Sequence, residues 1–160
     1  TMKRTGVCVA ITLQLAVSLS AAAAGWAHYH NDRFGYAIDI PPGFSPIAEA
    51  DNGDGGVSTS PDGEDELRVW GGYVLEGDFA SEIASRIDSD RSDGWDLTYV
   101  SRHSTTASWS GTRNERIVYV RALAGCDGAA DYFRLEYARR DLKSYGPVVD
   151  RLVRSFKSGC

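Results

Sequence analysis

The chain has 160 residues, 42% of them hydrophobic, and a formal net charge of −5. This length suffices for one domain with a substantial core and is short for two. The acidic balance argues against nucleic acid or an anionic membrane surface as a general partner.

The first 27 residues have the composition of a secretory signal peptide. Lys3 and Arg4, directly after Met2, are positively charged at neutral pH, and residues 7–19 form a nearly uninterrupted apolar run. Residues 21–24 are alanines, small residues of the kind that a signal peptidase accepts at its cleavage site. A membrane-spanning helix needs about 20 apolar residues, a length reached here only if the alanines are included. We therefore predict cleavage near residues 24–27, a mature domain at 28–160 that is periplasmic or secreted, and no stable membrane insertion after cleavage.

Charge is unevenly distributed along the predicted mature domain. Between His28 and Val100 there are four basic and sixteen acidic residues, whereas between Ser101 and Cys160 there are eleven basic and six acidic ones. The two halves can pair with each other across one fold, or the basic half can dock an acidic partner.

Two cysteines remain after the predicted cleavage, Cys126 and Cys160. In an oxidising compartment they are expected to form a disulfide that ties the C-terminus to an earlier loop. A nucleophilic cysteine is not indicated, because none of the three histidines, His28, His30 and His103, has the sequence context of a cysteine hydrolase.

The first strand signals lie in the N-terminal half. In RFGYAIDIPPGF, apolar residues alternate from Phe34 to Ile40 before two prolines and a glycine end the pattern. A short strand at 57–60 turns at SPDGED into a strand at 67–74, which predicts a hairpin. Trp70 faces away from the apolar side of that second strand, so it is either covered by another layer or exposed as an aromatic platform.

Two helices and a second strand pair follow. Asp78 is a plausible N-cap for a helix that carries Phe79, Ile83 and Ile87 on one side and stops before Gly94. RIVYVRAL and DYFRLEYARR predict two strands joined around AGCDGAA.

The C-terminal pattern predicts a second amphipathic helix. Pro147 suits its first turn. Its apolar stripe comprises Val148, Val149, Leu152, Val153 and Phe156. The outer flank carries Arg151, Arg154 and Lys157, which either complement the helix dipole in solvent or dock a partner.

This order of elements predicts an α+β domain with a mainly antiparallel β-sheet flanked by helices. The stretches HNDRFGYAIDIPPGF, ADNGDGG, SPDGEDELRVWGG and LEYARRDLKSYGPVVDRLVRSFKS resemble the PsbP-like superfamily of α/β/α sandwiches, across nearly the whole mature chain. That superfamily includes small bacterial exported proteins. The resemblance implies a scaffold and interaction fold, usually without enzymatic activity, and carries over no specific partner or binding residue.

The acidic, glycine-rich loop around residue 52 is a candidate cation site. A calcium EF-hand needs side-chain oxygens at positions 1, 3 and 5, and counting from Asp51 places Gly53 and Gly55 at positions 3 and 5. Asp51, Asn52 and Asp54 could still hold a cation together with backbone carbonyls. The alternative is that the Asn-Gly and Asp-Gly pairs form tight turns.

The histidines offer a second possible metal site. If cleavage follows Ala27, the new terminus begins with His28-Tyr29-His30, and its amine, amides and imidazole could bind Cu(II) or Ni(II). The alternative is a solvated tail.

No catalytic motif is recognisable. SWSGT lacks the first glycine of a serine-hydrolase elbow, and the sequence contains no phosphate-binding glycine loop, HExxH helix or C-x-x-C pair. The carboxylates lie in turns and at helix ends rather than as one acid/base pair. We expect no cofactor and no enzymatic activity, with a hydrolase of unrecognised type as the remote alternative.

Aromatic and arginine residues indicate a binding surface. Tryptophan and arginine are frequent anchors at protein interfaces. The candidate residues are Trp70, Trp95, Trp109, Arg113 and Arg116. We therefore expect an exported, non-catalytic binding or accessory protein of the bacterial envelope with a protein partner, and a small-ligand or metal-ion binding protein as the alternative.

Overall fold

The computed structural model describes residues 25–160, so the predicted signal peptide lies outside the described residues except for its last three. Within this range the chain forms nine strands and two helices. The strands are β1 (Ala27–His30), β2 (Ala37–Ile40), β3 (Ala48–Glu49), β4 (Gly55–Thr59), β5 (Glu66–Tyr73), β6 (Asp96–Arg102), β7 (Thr106–Arg113), β8 (Arg116–Ala124) and β9 (Ala129–Ala138). The helices are α1 (Phe79–Ser92) and α2 (Leu142–Ser155).

Seven strands form one antiparallel sheet in the order β3-β4-β5-β9-β8-β7-β6, and β1 pairs with β2 in a small sheet of its own. The predicted hairpins are confirmed, since β4 pairs with β5 and β8 pairs with β9. The last strand, β9, lies between β5 and β8 and so joins the two hairpins into one sheet.

One helix packs on each face of the large sheet. On the first face, α2 and the β1–β2 sheet pack Leu152, Phe156 and Ile38 against Phe133 and Leu135. On the opposite face, here called the α1 face, α1 packs against strands β7, β8 and β9. The core residues of the α1 face are Ile83, Ile87, Trp95, Ala107, Trp109, Val118, Val120, Ala122, Ala130 and Tyr132. The predicted α+β fold, a sheet between helices, is therefore confirmed.

The first helix begins as the sequence predicts. The Asp78 carboxylate accepts a hydrogen bond from the Ser81 backbone N–H at 2.9 Å, and the Ser81 hydroxyl accepts one from the Asp78 N–H at 2.8 Å. These two bonds satisfy backbone donors that the first turn of a helix leaves free. Gly94, just beyond the end, has a φ of +89°, which glycine adopts without steric cost.

The second helix begins earlier than the sequence predicted. It starts at Leu142, directly after a 3-10 turn at Arg139–Asp141, so Pro147 lies inside the helix rather than in its first turn. Proline has no N–H, and it therefore leaves the Lys143 carbonyl without an intrahelical partner. Lys143 is exposed, so water can bond that carbonyl.

The N-terminal end of the described chain is a strand rather than a solvated tail. β1 pairs with β2 in register, with Tyr29 opposite Ile38. Among the residues that the structure describes, no helix has both the length and the apolar character needed to cross a membrane.

Candidate functional site

Half of the α1 face has no helix above it. Helix α1 covers the strands from β7 to β9, and an open pocket of about 470 Å³ lies over β4 and β5. Trp70, Arg68, Arg134 and Val57 line the pocket, together with Ala50 and the stretch from Asp54 to Gly56. We call this surface the Trp70 groove.

The groove continues towards the helix. A smaller space of about 100 Å³ also borders Trp70 and Arg134 and is closed on the helix side by Arg86, Ser89 and Asp90. The acidic loop and α1 thus form the two walls of the Trp70 groove, and the sheet forms its floor.

The floor is built from matched pairs of residues on β5 and β9. Glu66 lies opposite Glu136, Arg68 opposite Arg134, and Trp70 opposite Tyr132. Because side chains alternate along a strand, all six point to the α1 face. The like-charged pairs would repel one another, but each arginine forms an ion pair with the glutamate of its own strand.

Trp70 is half-buried and stacked. Its ring lies 4.9 Å from that of Tyr132 with an interplanar angle of 13°, and the Arg86 guanidinium lies 4.3 Å from the Tyr132 ring and 5.8 Å from the Trp70 ring. Burial raises the pKa of Tyr132 well above its usual range, so the phenol stays neutral.

The position opposite Trp70 on the neighbouring strand is a required glycine. Gly55 of β4 lies opposite Trp70 and has no side chain. A Cβ at Gly55 would overlap the Val69 carbonyl and the Tyr36 hydroxyl, so this position requires glycine.

A buried ion-pair cluster holds the floor against the helix. The Asp90 carboxylate accepts hydrogen bonds from the Trp109 indole N–H at 2.6 Å and from Arg134 at 2.7 Å. Arg134 also donates to Glu136 at 2.7 Å. Burial lowers the pKa of Arg134, but the carboxylates of Glu136 and Asp90 outweigh that effect and raise it.

The structure does not bring the five residues predicted to form a binding surface together on one surface. Trp109 and Trp95 are 1% and 3% exposed and belong to the core of the α1 face, so they present no aromatic surface to a partner. Arg113 stacks on Trp95 at 4.5 Å and donates to the Asp93 carbonyl, whereas Arg116 pairs with Asp65. Of the five, Trp70 alone lines the 470 Å³ pocket, because α1 ends its coverage at that strand.

The acidic loop has the geometry of turns. The Asn52 side-chain amide donates to Asp54 at 2.8 Å, and Gly53 and Gly55 both have positive φ. Within residues 25–160 the acidic, histidine and cysteine side chains make no group of three that could hold a metal ion, and this includes the neighbourhood of Asp51. Whether the loop binds a cation stays a prediction.

The histidines of β1 pair with separate carboxylates. The imidazole of His28 lies 3.1 Å from Asp39, and that of His30 lies 3.3 Å from Asp32. Both rings are more than half exposed. A terminal copper or nickel site depends on the cleavage position and stays a prediction.

The disulfide between Cys126 and Cys160 is present, with 5.5 Å between the two Cα atoms. It ties the segment after α2 to the connection between β8 and β9, as the sequence predicted.

Asp131, next to this connection, is fully buried. Neither of its carboxylate oxygens has a hydrogen-bond partner among the described residues. Burial raises the pKa of Asp131 to about 6, and the nearby Ser158 hydroxyl only partly offsets the rise.

Sequence reasoning missed the partners of Trp70, since it assigned no role to Arg134, Tyr132 or Asp90. The available signal was the matching alternation of Arg68 and Trp70 on one strand with Tyr132 and Arg134 on another, which becomes informative once the two strands are known to be neighbours.

The class of protein follows from this architecture: it is an α+β domain, an antiparallel sheet sandwiched between helices. Cyanobacterial PsbP (CyanoP) from Synechocystis sp. PCC 6803, known from a solution structure, has the same fold with a TM-score of 0.60 and 17% sequence identity. The similarity covers 90% of this chain and 98% of that one. The chain therefore has a PsbP-like fold, as the sequence resemblance implied.

Sequence comparisons give no further assignment. No family model matches the chain, and no curated protein sequence matches it.

Proposed function

We propose that this is an exported, non-catalytic accessory protein of the bacterial envelope that binds a protein partner through the Trp70 groove. The observation that carries the proposal is a half-buried tryptophan at the bottom of an open pocket, flanked by arginines. Tryptophan and arginine in partly desolvated pockets supply much of the binding free energy at protein interfaces.

The groove chemistry supports binding rather than catalysis. Its arginines and carboxylates are engaged with one another in ion pairs, and the described residues that line it include neither histidine nor cysteine. A general base must lie within hydrogen-bond reach of the group that it activates. The lining residues offer no such pairing of base and nucleophile.

Export is supported by two features. The N-terminal composition is that of a signal peptide, and the Cys126–Cys160 disulfide is the kind of bond that persists in an oxidising compartment. The PsbP-like fold supports an accessory role through the resemblance of the sequence to small exported proteins of that superfamily.

Affinity capture from the native envelope fraction tests the proposal. The exported protein, its Trp70→Ala variant and its Tyr99→Ala variant serve as baits; Tyr99 is a control because it is 48% exposed on the distant strand β6. We expect the wild type and Tyr99→Ala to retain the same partner. Trp70→Ala should weaken retention roughly 30-fold, the effect of losing one interface hot spot. Equal retention by Trp70→Ala, with its fold verified by thermal unfolding, would contradict the proposal.

One observation supports a small ligand as the second candidate. The pocket volume of about 470 Å³ lies in the range of small-molecule sites. Native mass spectrometry of protein purified from its own host tests this alternative. A bound small molecule on the wild type and none on Trp70→Ala would support it, and bare protein in both cases would argue against it.

A further inference from the structure

The arginines of the Trp70 groove are already neutralised. Arg68 forms an ion pair with Glu66 at 2.8 Å, and Arg134 forms two, with Glu136 and Asp90, both at 2.7 Å. An incoming carboxylate would have to displace these partners or approach them against their charge. Two guanidinium groups thus face three carboxylates before the loop wall is considered.

The loop wall adds a fourth carboxylate in a fixed position. The Asp54 carbonyl accepts hydrogen bonds from the Tyr36 hydroxyl and the Gly71 N–H, both at 2.9 Å, so its backbone is anchored to the core. Its side chain accepts one hydrogen bond, from Asn52 to Oδ2. The other oxygen, Oδ1, accepts none from the described residues.

Stacking of guanidinium groups on aromatic rings recurs on this face. Arg86 lies over Tyr132 at 4.3 Å, and Trp95 has Arg113 at 4.5 Å and Arg134 at 5.4 Å. Trp70 differs from both rings in that it borders an open pocket, and Asp54 is among the residues that line the same pocket. A cation over an aromatic face is attracted by the ring quadrupole, most strongly for tryptophan.

We propose that the occupant of the groove is a basic segment of the partner protein, and that one of its arginine or lysine side chains lies between the Trp70 indole and the Asp54 carboxylate. This inference rests on the proposed function and specifies the chemistry of the partner. The surrounding sequence favours it, because the half of the chain from His28 to Val100 carries sixteen acidic and four basic residues. An excess of negative charge on the protein accelerates the association of a basic partner and opposes that of an acidic one.

NMR titration of the ¹⁵N-labelled exported protein with defined peptides tests the inference. The probe is Gly-Gly-Arg-Gly-Arg-Gly-Gly, and its counterparts carry citrulline, a neutral isostere of arginine, or glutamate at the same two positions. The indole N–H signal of Trp70 is identified by its loss in Trp70→Phe. We expect the arginine peptide to shift this signal and to bind at least about threefold more tightly than the citrulline peptide. The glutamate peptide should leave the signal unchanged.

Two loop variants separate a direct contact from a general charge effect. Asp54→Asn should lower the affinity for the arginine peptide about threefold and leave that for the citrulline peptide unchanged. Asp51→Asn, with the same charge change on the same loop but outside the pocket lining, should have a much smaller effect.

Three results would overturn the inference: equal affinity for the arginine and citrulline peptides, tighter binding of the glutamate peptide, or no shift of the Trp70 signal at millimolar peptide.

The inference and the proposed function can fail separately. If Trp70→Ala abolishes partner capture while Asp54→Asn does not change peptide binding, only the identity of the bound group is wrong. If Trp70→Ala leaves capture intact, the groove itself is not the docking site.

Discussion

Asp90 joins α1 to the sheet through two buried hydrogen bonds. Its two oxygens accept separate hydrogen bonds from Trp109 and Arg134, and all three side chains are largely removed from water. A buried carboxylate is tolerated where such partners compensate its lost hydration.

Replacing Asp90 with alanine should therefore destabilise the protein strongly. The indole N–H of Trp109 and the guanidinium of Arg134 would each lose a buried acceptor, and we expect the free energy of unfolding to fall by about 3 kcal/mol. Urea denaturation measures the change. Asp88→Ala on the same helix is the control, because Asp88 is exposed and its ion pair within residues 25–160 is with exposed Arg91. Similar losses in the two variants would contradict this role of Asp90.

Asp131 represents the opposite case, a buried carboxyl group whose lost hydration the Ser158 hydroxyl offsets only in part. The native protein holds its proton more tightly than the unfolded chain, because the native pKa of Asp131 is about 6 and the ordinary value is about 3.9. The stability that the neutral form confers is thus complete below about pH 4 and is lost as the pH rises through 6.

Asp131→Asn should remove this pH dependence. At pH 8 we expect the variant to be more stable than the wild type by up to about 3 kcal/mol, since a shift of about two pKa units corresponds to that difference. At pH 4 the two proteins should be nearly equal. Urea unfolding at both pH values gives the difference, and a variant less stable than the wild type at pH 8 would show that the ionised carboxylate has a stabilising partner.

At the scale of elements, the disulfide fixes the end of the chain. Cys126 and Cys160 are separated by 34 residues, which include β9 and α2. On the chain-entropy model, closing a loop of this length stabilises the folded state by roughly 3 to 4 kcal/mol. The double variant Cys126→Ser/Cys160→Ser should therefore unfold at lower denaturant, with its far-ultraviolet circular dichroism otherwise unchanged.

Intact mass spectrometry provides the control for this prediction. After thiol alkylation without reduction, the wild type should carry no label on these two cysteines, and after reduction it should carry two. Equal labelling in both conditions would show that the disulfide does not form in solution.

Most of the elements could be predicted because each has a local cause. Alternation identified β2, β5 and β9, and the Asp78 cap fixed the start of α1. The predicted start of α2 was wrong because proline is favourable in the first turn of a helix, and Pro147 was therefore assigned to that turn. In the structure Pro147 lies deeper in the helix, where exposure of the backbone makes it tolerable. Strand β1 was unpredictable because its pairing with β2 is not a property of four residues alone.

At the scale of the whole molecule, the sequence predicted the fold better than the candidate site. Alternation on β5 placed Trp70 on the face opposite Leu67, and that is where it lies. Alternation does not indicate how far a helix extends over a sheet. The half-burial of Trp70 follows from the position of α1 over β7 to β9, and this position depends on long-range contacts such as Asp90 with Trp109.

The central claim is that the protein acts by binding and that the Trp70 groove is the docking surface. Site-specific photo-crosslinking in the native host tests it most directly. A photoreactive phenylalanine analogue is placed at Val57, which lines the groove, or at Lys143, which is exposed on α2 at the opposite side of the sheet. We predict a discrete crosslinked adduct from Val57 that disappears when Trp70→Ala is added, and none from Lys143. An adduct from Lys143 alone, or one from Val57 that persists with Trp70→Ala, would contradict the account.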